Sequence, residues 1–376
     1  MKKILSLFLV SLTLLSLASC SASSGGASTD KKPIAPSGNI AVNLPDTKVM
    51  TTENFAVTDK MITYHLYELY YTFCDTLAEV GITAEDMGIT AGSLLSTLPC
   101  HVDESVNTWL EYFANQAEYN LTEQLVLCEA AKASGMGLDD TDKAVIDGIM
   151  NDLYETAHKA GKTENAYIAE LYGGWVNAGD IREAKELSYL AEKYLRQAAE
   201  NADFSKNNVE NYYAQHSDSI DTADFLVYVF AAGEDKYAEA LASFKTAEDF
   251  LEYTKYHAVS IKGLTESDYE QIKSEHIVCE NVSKDENDGI VSFAFAGKSG
   301  DVKLMKDEKS GAVTVVMVTR GGSRNEKPDE NGVPMWEAVV REKLEAEAVD
   351  MAKKAAAKVH PVNMDSQKFY SIDIKA

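Results

Sequence analysis

Residues 205–230 read SKNNVENYYAQHSDSIDTADFLVYVF, and the fold turns on what happens at Asp221. Ahead of it the stretch is polar and reads as a helix with Ser205 as its cap. From Asp221 on comes a β-branched and aromatic segment with a continuous apolar run, the mark of a strand. A helical region therefore gives way here to a smaller mixed unit.

Working upstream, apolar residues recur at spacings of three and four. Residues 58–80 place Ile62, Leu66, Leu69, Phe73, Leu77 and Val80 on one stripe, with Thr58 as cap and Gly81 as stop. Residues 103–134 repeat the plan, with Asp103 as cap and Gly135 as stop. Their stripe is Val106, Trp109, Phe113, Ala117, Leu121, Leu125, Cys128 and Ala131. A third helix is expected over 141–160, with Val145, Ile149, Leu153 and Ala157 inward. A short fourth follows Thr163. A fifth runs over 178–202, with Ile181, Ala184, Leu187, Ala191, Tyr194 and Ala198 inward.

Working downstream, a helical stretch is expected over 235–256, then a short helix or turn, a Gly-Asp turn and a final strand over 312–319. The polar loop GGSRNEKPDENG follows at 321–332. Pro334 opens the first turn of a last long helix, whose stripe is Trp336, Val340, Leu344 and Ala348. The tail FYSIDI at 369–374 reads as a short strand. A lone amphipathic helix must bury its stripe, and the simplest place is the helical domain. The fold class is then mainly α, with an inserted small α+β domain and a C-terminal helix that returns to the helical domain.

Three stretches in this order resemble a family, the SurA/PrsA-type extracytoplasmic foldases. AYIAELYGGWVNAGDIREAKELSYLAEKYL (166–195) is similar to the paired helices that close their N-terminal chaperone domain. Residues 205–230 are similar to their connector into the first strand of a parvulin-type prolyl isomerase domain. SFAFAGKSGDVKLMKDEKSGAVTVVMV (292–318) is similar to the parvulin segment that leads from a Phe-bearing helix to the last strand. The likeness spans most of residues 50–376. It implies a helical chaperone domain over 49–220, a parvulin-like domain over 221–325, and a returning helix over 333–376.

The isomerase chemistry departs from the family. Parvulins carry one histidine on the first strand and one on the last, beside a proline pocket. Here 224–230 read DFLVYVF and 312–318 read AVTVVMV, without histidine. No catalytic residue is carried over. Phe293, Phe295 and Met317 stand as remnants of a proline pocket or as core. The resemblance implies a degenerate parvulin fold.

The N-terminus sets the location. Met1-Lys2-Lys3 is basic, and residues 4–17 are apolar or hydroxyl-bearing without charge. That is the plan of a secretory signal, too short to span a bilayer comfortably. Leu17-Ala18-Ser19-Cys20 resembles a bacterial lipobox, so Cys20 is expected to carry diacylglycerol and become the mature N-terminus. Residues 1–20 would be signal and lipobox. Residues 21–48, rich in Ser, Gly, Ala and Pro, would be a tether reaching about 30 Å as a coil.

The chain holds 60 acidic and 35 basic residues, a formal net charge of −25, and Lys2 and Lys3 leave with the signal. That argues against nucleic acid as a partner and against electrostatic binding to anionic lipid. Solubility explains the charge; steering of Lys-rich unfolded segments is the sharper reading. Cys74, Cys100, Cys128 and Cys279 lack metal-site spacing and read as buried thiols, with Cys74–Cys100 or Cys100–Cys128 as disulfide alternatives. His276 and Cys279 form half a metal motif with no second half. Tyr64, Tyr67, Tyr70, Tyr71 and Tyr112 are the candidate client-binding residues, because tyrosine offers area with a polar tip. The same rings also suit helix–helix packing. The reading is a lipid-anchored, extracytoplasmic chaperone for non-native secreted polypeptides, without cofactor. An active prolyl isomerase and a non-catalytic ligand-binding or scaffold lipoprotein are the alternatives.

Overall fold

The computed structural model describes residues 47–285 and 287–376. Cys20 and the tether up to residue 46 lie outside the described residues. The chain divides into two compact units. The first takes the described chain up to Asn201 and Ala348–Ala376; the second is Ala202–Glu347.

The first unit opens with a hairpin that the sequence did not announce, β1 (Lys48–Thr51) and β2 (Ala56–Thr58), so the segment read as tether already pairs at Lys48. The turn is pinned by Glu129, a buried carboxylate that accepts from Asn54 N (2.5 Å) and Asn54 Nδ2 (2.7 Å). Helix α1 (Asp59–Glu79) follows under its expected cap, with Thr58 Oγ1 accepting from Met61 N at 3.3 Å. Its stripe from Ile62 to Leu77 is buried; Val80, past the last turn, is exposed.

Helix α2 (Trp109–Ala133) starts later than expected. Thr108 caps it, while Asp103 holds Ser105 in the preceding loop. Helix α3 (Asp140–Lys159) buries Ala157 as expected, but Ile146 and Met150 rather than Val145 and Ile149, and leaves Val145 exposed. The reason is geometric. Steps of four alone advance about 400° and drift off one face, whereas 146, 150, 153 and 157 alternate four and three and stay on it. Helices α4 (Glu164–Tyr172) and α5 (Ala178–Glu200) complete the bundle, the latter behind a capping box of Asn177 and Asp180. Helix α2 packs against α5 and α1, around Ile62, Leu66, Trp109, Phe113 and Leu125.

The second unit begins with α6 (Lys206–Ile220), capped by Ser205, and β3 (Thr222–Phe230). The helical stretch expected over 235–256 is two helices, α7 (Asp235–Ala242) and α8 (Ala247–Tyr256), with Thr246 capping the second. A π-turn at His257–Ile261, α9 (Glu266–Ile272) and a second π-turn at Lys273–Ile277 lead to β4 (Val278–Ser283). Then come α10 (Gly289–Ala296), β5 (Val302–Lys306) and β6 (Val313–Ser323). The antiparallel sheet has the order β4-β3-β6-β5. Its edges are short and polar or charged, which is why β4 and β5 carry no apolar run.

Both sheet faces are covered. Leu226, Phe230, Val313, Val315 and Met317 point to one layer, with Phe250 and Tyr269. Phe225, Val316 and Val318 point to the other, with Val291 and Ala294 of α10. This is the two-residue period of a sheet buried on both sides. Helix α11 (Met335–Val359) follows, and Trp336, Val340 and Leu344 pack on Val209 and Ile220 of α6. Three of the four stripe residues read as returning to the helical domain are thus buried inside the second unit, because α6 supplies the apolar surface there, while Ala348 falls in the first unit.

The second half of α11 belongs to the first unit. There Val349 and Ala356 pack on the helical core, and Lys353 Nζ lies 2.6 Å from a Glu123 carboxylate oxygen. Strand β7 (Asn363–Met364) pairs antiparallel with β1, giving a sheet of order β2-β1-β7, and α12 (Ser366–Phe369) follows. The tail FYSIDI forms no strand. Ile372 and Ile374 are buried, and Leu95 N bonds to Ile374 O at 3.0 Å, but only an isolated bridge at Lys375 forms.

Candidate functional site

The tyrosines singled out in the sequence lie in the helical core. Tyr64, Tyr67, Tyr70 and Tyr112 are buried, and Tyr71 is half-buried. Tyr64 stands edge-on to Tyr172 with centroids 4.9 Å apart, Tyr70 edge-on to Phe113 at 6.0 Å, and Tyr112 edge-on to Trp109 at 5.5 Å. The hydroxyls are engaged too: Tyr71 donates to Leu171 O at 2.5 Å, and Tyr67 accepts from Lys375 N at 3.4 Å. Burial, ahead of nearby Cys100 and Asp103, pushes the Tyr112 phenol up to about 12, and burial raises Tyr67, Tyr70 and Tyr71 as well. The four buried rings are closed to a polypeptide on the surface, while Tyr71 keeps part of its surface exposed. Their energetic role is to build the bundle, as amphipathic rings at helix boundaries do.

The three residues read as pocket remnants do not meet. Met317 faces the layer with Leu226 and Phe230, whereas Phe293 and Phe295 lie against the opposite layer. Phe293 carries the Lys303 ammonium 5.5 Å from its ring centroid. Phe295 rests on the bare Gly322, where a Cβ would stand 2.2 Å from the Phe295 ring. The sheet itself separates the two sides, so no shared pocket forms from them.

Cys74, Cys100, Cys128 and Cys279 are all free thiols, and neither disulfide forms. Cys128 is buried and donates to Leu187 O at 3.2 Å. His276 is exposed, while Cys279 packs in the apolar layer beside α10. Among the described residues no group of three or more His, Cys, Asp or Glu is arranged to hold a metal. None of the described helices is long and apolar enough to cross a membrane.

What the first unit does offer is a groove of about 800 Å³. One wall is the outward face of α2, with Tyr119, Thr122 and Val126. The other is the second half of α11 and the chain beyond it, with Ala357, Pro361, Val362 and Met364. Tyr119 is 61% exposed at the rim. Charge in the walls is balanced locally: Lys353 meets Glu123, Lys354 meets Asp350 at 2.5 Å, and Glu118 accepts from the Tyr370 hydroxyl. The groove's lining sets Val126, Ala357, Pro361, Val362 and Met364 beside these charged groups. The sequence carried one signal for the first wall. Tyr119 falls between Ala117 and Leu121 of the α2 stripe, so the helical period turns it outward. The second wall was signalled only as a helix returning to the helical domain; which of its residues line the groove was not legible.

No family model and no curated protein sequence matches the chain. Among solved structures, the chain is similar to the foldase protein PrsA of Lactococcus lactis at 12% identity, over 87% of this chain and 97% of that one, with a TM-score of 0.28. It is similar to PrsA of Streptococcus pneumoniae at 14% identity, over 72% and 97%, with a TM-score of 0.28. A structure from Campylobacter jejuni, described as that of the SurA-like chaperones PEB4 and Cj1289, matches at 10% identity over 85% and 98%, with a TM-score of 0.27. The chain is mainly α with a small α+β unit, and its similarity to PrsA and SurA-like chaperones runs along most of its length. At these scores the functional reading is left to the groove.

Proposed function

We propose that the protein is a chaperone that holds non-native secreted polypeptides on the outer side of a bacterial membrane, anchored by lipid on Cys20. The observation that carries the reading is the groove between α2 and the second half of α11. It is lined by Val126, Ala357, Pro361, Val362 and Met364 together with eight polar or charged residues, and an exposed tyrosine stands at its rim. Apolar side chains standing beside polar and charged ones suit a bound segment of mixed composition. The signal-like N-terminus and the acidic balance agree with a secreted protein that meets basic clients. No nucleotide or metal enters this scheme. Prolyl isomerisation has less support, since β3 and the core of β6 hold no histidine and the sheet has apolar layers on both faces.

The test is suppression of aggregation of a chemically unfolded client, followed by light scattering. Ala357→Trp fills the groove from the α11 wall and should abolish most of the suppression while leaving the circular dichroism spectrum unchanged. Full suppression by a folded Ala357→Trp variant would remove the groove as the client site. Turnover of a proline peptide by the wild-type protein is expected to stay at background.

A further inference from the structure

Beside the groove lies a second, smaller cavity of about 110 Å³. It sits among α1, α2 and α5, and it shares Tyr119, Glu123 and Lys353 with the groove. The Lys353–Glu123 pair thus stands between the two spaces. The cavity has room for several water-sized groups, enough for the end of one side chain.

Two observations define what fits it. The first is His65 on α1. The residue as a whole is half-buried, but its Nε2 is sealed from solvent and has no hydrogen-bond partner. Unmet buried polar atoms are rare and point to a missing partner. Burial and then the nearby Lys185 ammonium push the ring down to about 4, so it is neutral at pH 7 and adds no positive charge to the cavity.

The second is the charge of the walls. The cavity is lined by two carboxylates, Glu123 and Glu192, and one ammonium, Lys353. Lys353 is already committed to Glu123 at 2.6 Å. Glu192 takes a 3.2 Å hydrogen bond from Ser188 Oγ, and Arg196 and Lys185 act on it only at longer range. One carboxylate is left without a close cation, in a chain of formal net charge −25. An anion would meet two carboxylates here; a cation completes the set.

We propose that this cavity is a side-chain pocket of the groove that takes a lysine or arginine of the bound polypeptide. Glu192 and Glu123 receive its charge beside the neutral His65 ring, and Lys353 is a placeholder that the guest displaces from Glu123. The inference rests on the groove being the client site. It adds a preference: apolar segments punctuated by a basic residue bind best.

The test uses the full-length protein and two fluorescent apolar peptides that differ at one residue, arginine or its uncharged isostere citrulline. Affinities are read by fluorescence anisotropy. The arginine peptide should bind about tenfold more tightly, as one charge-assisted hydrogen bond provides. Glu192→Gln should close most of that gap by weakening the arginine peptide more than the citrulline peptide. Lys353→Met should widen it, a direction that a merely loosened fold does not produce. Equal affinity of the wild-type protein for both peptides, or an unchanged gap in Glu192→Gln, would overturn the pocket while the groove reading stands. If neither peptide binds the wild-type protein, both readings fall.

Discussion

Replacing Asp224 by alanine should unfold the second unit well below the temperature at which the wild-type protein loses it. Asp224 sits near the start of β3 and is 4% exposed. Its carboxylate accepts from Arg320 Nε (3.0 Å) and Nη2 (2.8 Å), from Asn281 N (2.8 Å) and from Lys327 Nζ (3.3 Å). One side chain thus ties β3 to β4, to β6 and to the loop that leads into α11. Breaking a buried pair from one side costs about 3–5 kcal/mol, because the remaining charge is left uncompensated. Arg320 would keep Thr222 O at 2.6 Å, Thr222 Oγ1 at 2.8 Å and Ser323 O at 3.0 Å, which places the loss at the lower end. About 3 kcal/mol in a unit of this size lowers the melting temperature by roughly 10 °C. Hydrogen exchange of the β3 and β6 amides during a thermal series isolates this unit from the helical one. Adding Arg320→Met removes the stranded guanidinium and should recover part of the loss, a coupling that a double-mutant cycle measures. The pH dependence has a definite sign. Burial raises the Asp224 carboxyl, but Arg320 and Asn281 outweigh it and hold the group below its ordinary value. Its stabilisation is therefore complete above an unfolded pKa of about 3.9 and is lost as pH falls through the lower folded value. A melting temperature within about 2 °C of wild type, the range of a surface substitution, would refute the reasoning.

Gly321→Ala should destabilise the same unit by about 3 kcal/mol, since a Cβ there would stand 2.1 Å from the backbone oxygen of Gly297, which has no side chain to yield; denaturant titration reads it. Gly148→Ala, on an open face of α3 with nothing within 4 Å of the new methyl, is the control and should stabilise by about 1 kcal/mol. Cys20→Ser should abolish incorporation of a fatty-acid probe during growth, and labelling that persists in the variant would rule out Cys20 as the lipid site.

Much of the architecture was legible in residue order, because its causes are local. Thr58, Thr163 and Ser205 cap the helices where their hydroxyls precede an apolar period. Gly81 and Gly135 follow the ends of α1 and α2 with φ of +74° and +77°, a conformation that glycine adopts without strain. The apolar run after Asp221 is β3, a central strand buried on both faces. Edges and returns are different. Strands β1, β2 and β7 are short, and they exist because Glu129 holds the hairpin and the chain after α11 comes back beside β1. The site belongs to the same class. Tyrosine at helical spacing serves a core and a binding surface equally well in sequence. Only the packing of α1 against α2 and α4 sent Tyr64, Tyr67, Tyr70 and Tyr112 inward and left Tyr119 at a rim. Phe293, Phe295 and Met317 lie close in sequence, yet which side of a sheet each one meets depends on strand register and on which helix covers which face. Capping and periodicity act over a few residues and are written in the chain, whereas the groove wall and the sealed Nε2 of His65 come from contacts between segments hundreds of residues apart, which only the folded chain brings together.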